Sequence, residues 1–306
     1  MTQFVLRRLA QAIPILFLVA TLVFSLIHLI PGDPAELMLG DGARAADVAA
    51  LSARLGLDRP LAEQYGRYLA GILRGDLGTS IHFGRPVAAL LAERLPATLT
   101  LAVAAMAIAF GLALPLGVWA ATSRRALADP LSRLFSMVGV SIPSFWLGPM
   151  LILLFSIALG LLPVSGRAGW SSLVLPAVTL GLGQAAVLTR LVKAALAAEL
   201  DRPYLRTAEA KGLSRLAAVL RHGLKNALIP VVTVAALQFG ALLTGSILTE
   251  TIFAWPGIGR LLIQAIHLRD YPLVQGAIVL IAATYLAANL ATDLVYGVLD
   301  PRVRLR

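Results

Sequence analysis

Four histidines, His28, His82, His222 and His267, are the only imidazoles in the 306 residues, and there is no cysteine. A Ser–His hydrolase needs a base beside its nucleophile. Only His28 falls within an apolar stretch, and no GxSxG turn occurs to present a serine. The histidines are also too scattered for a metal centre, and without thiols neither a disulfide nor a thiolate site can form. No GxxxxGK[ST] loop is present to cradle nucleotide phosphates. The chain is therefore expected to bind no metal or cofactor and to draw any energy it uses from elsewhere. Two kinds of chemistry remain. One is hydrogen bonding by polar side chains in otherwise apolar runs: Ser141, Ser144, Gln238, Thr244 and the face Tyr285, Asn289, Thr292, Asp293 and Tyr296. The other is a charged segment, Arg206-Thr207-Ala208-Glu209-Ala210-Lys211-Gly212-Leu213-Ser214, stranded between two apolar runs.

The elements that position these residues follow from composition. Apolar residues make up 58% and charged residues 14%, against about 25% charged in a soluble domain, and mean hydropathy is +0.84. Lipid is the chain's immediate partner. Crossing about 30 Å of hydrocarbon takes roughly 20 helical residues. Six runs suffice: Leu9 to Ile30, Ala97 to Ala121, Leu134 to Leu162, Leu173 to Val192, Ala227 to Leu248 and Leu273 to Val298. The first is too long for a signal-peptide core and is followed by Pro31-Gly32-Asp33-Pro34, so it is read as retained. The expected architecture is an all-α membrane protein, residues 1–306, with a loop over 31–96, a core over 97–298 and a loop over 194–226.

Basic residues set the expected orientation. With the N-terminus cytoplasmic, the inner segments hold sixteen: Arg7, Arg8, Arg124, Arg125, Arg133, Arg190, Lys193, Arg202, Arg206, Lys211, Arg215, Arg221, Lys225, Arg302, Arg304 and Arg306. The two short outer loops hold only Arg167, Arg260 and Arg269. Both termini are thus expected inside. The net charge of +10 then lies against an anionic leaflet. Nucleic acid is not expected, because the basic residues flank spans instead of forming one stripe.

The loop over 31–96 is too long for a plain connection. Ala45 to Leu55, stopped by Gly56, and the helically spaced Leu61, Tyr65, Leu69 and Ile72 each predict a helix. Gly75 to Ser80 reads as a turn, and Trp255-Pro256-Gly257 as another before a short helix, with the tryptophan suited to a membrane interface. These outer segments either cap the bundle or form a docking face and gate. In the loop over 194–226, Pro203 fits a first helical turn, Tyr204 to Lys211 favours helix, and Gly212 suits the left-handed residue past a helix end. Asp201 or a neighbour would cap this helix, and Ser214 would cap the next, running through Arg221 and Lys225. A lone amphipathic helix on the lipid surface is the simpler reading, but the glycine corner argues for a protrusion. Polar residues within spans serve either to glue helices together or to line a path. Asp293 is the costly one, and its place near the end of its span favours a salt bridge to a juxtamembrane base. Pro143 and Pro149 permit a kink beside a cavity.

On these residues the chain resembles the membrane subunits of ATP-binding-cassette importers. Their cytoplasmic coupling loop reads Glu-Ala-Ala, three residues, Gly, nine residues, Ile, one residue, Leu-Pro. Aligned on Gly212, the chain places Arg206-Thr207-Ala208 over Glu-Ala-Ala, His222 over the Ile and Leu224-Lys225 over Leu-Pro. The substituted acid and proline resemble the first permease subunit of peptide, nickel and glutathione importers, the dipeptide permease B type. That likeness extends through Pro31-Gly32-Asp33-Pro34, Leu55-Gly56-Leu57-Asp58, Gly75-Asp76-Leu77-Gly78, Ile142-Pro143-Ser144-Phe145, Arg221 to Ala227, Trp255-Pro256-Gly257, Arg269-Asp270-Tyr271-Pro272 and Asp300-Pro301-Arg302. The resemblance implies a type I permease fold in a bacterial inner membrane and a second homologous permease. It further implies two cytoplasmic ATPases holding ATP and Mg, and an extracytoplasmic solute-binding protein that delivers peptides, or alternatively glutathione or a nickel or metal chelate. Arg206 to Ser214 would couple to the ATPases. Ser141, Ser144, Gln238, Thr244 and Asn289 are the candidate path residues. An ATPase-independent secondary transporter is the rival, but it would be expected to carry interrupted, charged spans near the midplane.

Overall fold

A computed structural model describes residues 2–29, 32–40, 42, 44–123 and 125–299. Pro31, Arg124 and the tail from Asp300 through Arg306 lie outside them, including the basic cluster and the Asp-Pro-Arg motif read there. In chain order the helices are α1 (Thr2–Leu29), α2 (Pro34–Leu39), α3 (Ala45–Leu55), α4 (Leu61–Arg74), α5 (Val87–Thr122), α6 (Ala128–Ser141) and α7 (Ser144–Leu151). They continue with α8 (Trp170–Leu200), α9 (Pro203–Ala210), α10 (Arg215–Ala218), α11 (Leu224–Gly245), α12 (Ile247–Ile252), α13 (Ile258–His267) and α14 (Tyr271–Leu299). Wide π turns extend α7 over Ile152–Ala158 and join α10 to α11 over Val219–Gly223. The only strand pairing among the described residues is an isolated bridge between Thr79 and Pro86.

Among the described residues, five helical segments are long and apolar enough to cross a membrane: Leu6–Leu26, Val87–Thr122, Trp170–Leu200, Arg215–Gly245 and Tyr271–Leu294. The third expected span is not one helix. It breaks between Ser141 and Ser144, and its two arms meet at 100°. Proline has no N–H to donate and pushes the residue before it out of the helical region. Ile142, before Pro143, is accordingly extended at ψ 116°. The two helices expected in the loop over 31–96 form as α3 and α4, each ended by a left-handed glycine, Gly56 at φ +70° and Gly75 at φ +75°.

The chain divides into two compact units, one of residues 2–98 and 256–286, the other chiefly of 99–255 and 287–306. In the first, Ala35, Met38 and Leu51 form a buried cluster joined by Val48, Leu55, Leu57, Ile81 and Tyr271. Asp270 is fully buried and accepts a hydrogen bond from Ser80 Oγ at 2.5 Å, while His82 Nε2 lies 2.6 Å from the Leu268 carbonyl oxygen. Helices in lipid associate by close packing rather than by hydrophobic exclusion, which favours small residues at their contacts. The second unit is built this way. A Cβ added at Gly117 would meet Val192 Cγ1 at 2.6 Å, one at Gly139 would meet Ala186 Cβ at 2.7 Å, and one at Gly181 the Ala105 carbonyl oxygen at 2.7 Å. Those contacts fix α5 and α6 against α8. At the start of α6, Asp129 pairs with Lys193 of α8 and with Arg133.

Candidate functional site: a helix corner and a broken span

The corner begins with Pro203 as the first residue of α9, where its missing N–H costs no hydrogen bond. Neither Asp201 nor Arg202 caps that helix through a side chain; Asp201 instead ends α8. At the far end, Gly212 stands at φ +94°. Its N–H donates to the Glu209 carbonyl at 2.9 Å and the Leu213 N–H to the Ala208 carbonyl at 3.3 Å. That pair of bonds is the Schellman ending, which reverses the chain around a left-handed residue. Two residues on, Ser214 Oγ accepts from Ala217 N at 3.3 Å and starts α10, as its residue type predicts.

One side of the corner is welded to its own unit. Leu205 and Ala208 are buried with Leu196, Ala218, Val219 and Ala227, and Leu213 packs on the same cluster. Tyr204 Oη donates to Glu199 Oε2 at 2.5 Å and accepts from Asn226 Nδ2 at 3.2 Å. Burial, and then the bond to Glu199, raises the phenol's pKa above its ordinary value, so it stays a neutral tie between α8, α9 and α11. The other side is bare: Arg206, Thr207, Glu209, Ala210, Lys211, Gly212 and Ser214 are exposed. The apolar side is anchored while a charged side faces out.

The second feature is a cleft of about 310 Å³ at the break in the third span. Gly139 and Ile142 of the break, Ser144 and Leu147 of α7, Thr179, Gly183 and Gln184 of α8, and Ala241 and Gly245 of α11 line it. Of the five candidate path residues only Ser144 reaches this cleft. Ser141 is exposed on α6, and Thr244 Oγ1 is used locally, donating to the Ala241 carbonyl at 3.0 Å. Gln238 Oε1 and Asn289 Oδ1 are buried with no hydrogen-bond partner among the described residues. Thr179 and Gln184 were missed by sequence reasoning, although an amide in an apolar helix was a signal available there. Trp255 is packed inside the protein. It is 1% exposed, with the Arg167 guanidinium 5.6 Å from its ring centre, an attraction worth more where water is excluded.

Residues 113–305 match the model of the family described as binding-protein-dependent transport system inner membrane component, and residues 1–102 match its N-terminal companion. The chain belongs to this family. It is a permease subunit of an ATP-binding-cassette importer and a multi-pass protein of the inner membrane. Among its relatives, the glutathione transport system permease protein GsiC of Escherichia coli strain K12 is 43% identical over 308 residues, with all of both chains covered. The GsiC of Salmonella typhimurium is likewise 43% identical over 308 residues. The fold resembles that of the inward-facing MetNI methionine ABC transporter, with TM-score 0.56 and 20% identity, covering 69% of this chain and 96% of that one. It also resembles an amino acid ABC transporter solved with histidines, with TM-score 0.51, 18% identity and 70% and 94% coverage. The importer permease read from the sequence is thereby borne out, with its all-helical membrane fold.

Proposed function

We propose that this permease is one half of a translocation pathway for short peptides, with glutathione the first solute to test because the curated relatives carry that name. In this reading the whole chain is one permease domain. A second homologous permease supplies the other half, and two ATPases on the cytoplasmic side bind ATP and Mg. An extracytoplasmic solute-binding protein delivers the solute to the side of residues 31–96. Both termini are cytoplasmic. Arg206, Thr207, Ala208, Glu209, Ala210, Lys211, Gly212, Leu213 and Ser214 form the coupling corner. The observation that carries the assignment is the corner's two-sided build. A groove on an ATPase can grip the exposed charged side, while Leu205 and Ala208 transmit displacement as a rigid body to α8 and α11. Those two helices also wall the cleft at Ser144, Thr179 and Gln184. Ser144 and Gln184 give this largely apolar cleft uncharged hydrogen-bonding groups, while the Thr179 hydroxyl donates to the Leu175 carbonyl at 2.8 Å, and such a lining suits a solute whose selection is made elsewhere. Ser141, Gln238, Thr244 and Asn289 would complete the path in the assembled dimer, with the orphan amide oxygens of Gln238 and Asn289 finding their partners on the second subunit or the solute. Reconstituting the chain with a second permease, the ATPases and the binding protein of its importer, then measuring ATP-dependent uptake of glutathione and of dipeptides, tests the reading. Uptake driven by an ion gradient without ATPases would refute it.

A further inference from the structure

The unit of residues 2–98 and 256–286 contains a cavity of about 430 Å³, within the roughly 300–1,000 Å³ usual for small-ligand sites. One wall is Phe24 and His28, in the last two turns of α1, so the cavity lies where a membrane span leaves the hydrocarbon. Helix α4 is held along that end of α1. Thr21 Oγ1 and Tyr65 Oη are 2.6 Å apart, and the ring centres of Phe24 and Tyr68 are 5.6 Å apart.

Most polar groups deep in the wall are already spoken for, and the Tyr68 hydroxyl is buried with no hydrogen-bond partner among the described residues. Gln64 Nε2 donates to the Leu57 carbonyl at 3.0 Å and the Arg59 carbonyl at 2.8 Å, and its Oε1 lies 3.1 Å from His28 Nε2. His28 Nδ1 lies 2.9 Å from the Phe24 carbonyl oxygen. The Asp76 carboxylate, also on the wall, accepts from Gly78 N at 2.9 Å. Burial pushes the pKa of the Tyr68 phenol up to about 12, as apolar surroundings do. Apolar side chains make up much of the rest, with Met38, Leu51, Leu55 and Ile72 prominent; Thr79 and Gln275 join them, and two exposed arginines, Arg54 and Arg67, also line the wall. Arg67 is 58% exposed and only loosely shared with Glu63 at 3.2 Å.

A chamber with a mainly apolar wall, two exposed guanidiniums and a position at the end of a span together select an amphiphile with an anionic head. We propose that the cavity takes an acyl chain of an anionic phospholipid from the leaflet that His28 reaches, with Arg54 and Arg67 on its phosphate. Guanidinium matches phosphate in a two-pronged geometry, and each basic residue near an anionic surface raises lipid affinity about fivefold. The site shares no residue with the coupling corner or the cleft, so it stands or falls independently of the transport reading.

Photo-crosslinking tests it, using the full-length chain with its partner subunits in nanodiscs doped with phosphatidylglycerol that carries a diazirine on one acyl chain. The expected adducts map to Met38, Leu51, Leu55 or Ile72. Excess unlabelled phosphatidylglycerol should remove them and excess glutathione should not. The double variant Arg54→Gln/Arg67→Gln, changed only at exposed positions, should cut labelling about 25-fold. Ile72→Trp should cut it by filling the chamber. Labelling that avoids these residues, or that both variants leave unchanged, overturns the proposal. Competition by glutathione would make the cavity a solute site, and competition by oleate as strong as that by phosphatidylglycerol would make it a fatty-acid site; either result refutes the phospholipid assignment.

Discussion

Replacing Gly212 with valine isolates the corner from everything around it. No atom lies within 4 Å of where a Cβ would sit, so the substitution creates no clash and acts through the backbone alone. At φ +94° an L-residue is disfavoured by roughly 1–2 kcal/mol, and a β-branched one by more. If the chain instead abandons that conformation, it loses the Gly212–Glu209 and Leu213–Ala208 backbone bonds, each worth about 0.5–1.5 kcal/mol net. Either route costs about 1–3 kcal/mol, which lowers the population of the native corner roughly 5- to 150-fold. The buried contacts of Leu205 and Ala208 are untouched, so the membrane bundle should assemble normally. Solute uptake and solute-stimulated ATP hydrolysis should therefore both fall steeply in reconstituted Gly212→Val complexes, at unchanged expression and subunit stoichiometry. Gly212→Asn should retain most of both, because asparagine tolerates the left-handed region. Wild-type uptake and stimulation in Gly212→Val would refute the reasoning.

The other expectations are smaller or lie elsewhere. Ser214→Ala removes a helix cap worth about 1 kcal/mol, and should lower stimulated ATPase activity by a few-fold without abolishing it. Gly139→Leu forces a side chain into Ala186, where a bare Cβ would already meet it at 2.7 Å. Overpacking of this kind costs about 1–3 kcal/mol or more, so the detergent-solubilised protein should melt several degrees lower. Gln184→Leu takes a hydrogen-bonding group out of the cleft and should raise the KM for uptake while leaving basal ATPase activity unchanged. An unaltered KM would remove Gln184 from the path.

The parts of this molecule legible in its sequence are those that local chemistry dictates. The turn after α3 needed a residue at φ +70°, and Gly56 announced it. The corner was similarly readable, because Pro203, Gly212 and Ser214 each have one conformation they favour and their spacing fits only a helix, a reversal and a second helix. The broken third span was half legible. Pro143 marked the place, but a kink and a 100° break differ by how the two arms pack, and packing against α8 through Gly139 is a long-range fact. The cleft was less legible still. Ser141 and Ser144 are three residues apart, yet the extended Ile142 sends them to different surroundings, and the lining from Thr179 and Gln184 arises only when α8 is laid beside the break. The burial of Trp255 and its cation–π contact with Arg167 were not legible, because the two lie far apart in sequence.

The central claim is that the charged side of the corner faces the cytoplasm and grips an ATPase, and a single engineered thiol tests both halves at once. The native chain has no cysteine, so Lys211→Cys carries the only thiol in it. In the assembled importer this exposed thiol should resist a membrane-impermeant maleimide added to intact cells and react in inverted vesicles. It should also cross-link to an ATPase subunit with a short bifunctional reagent, with a yield that changes on ATP binding. Labelling from outside, or an efficient cross-link to the binding protein in place of the ATPase, would contradict the account.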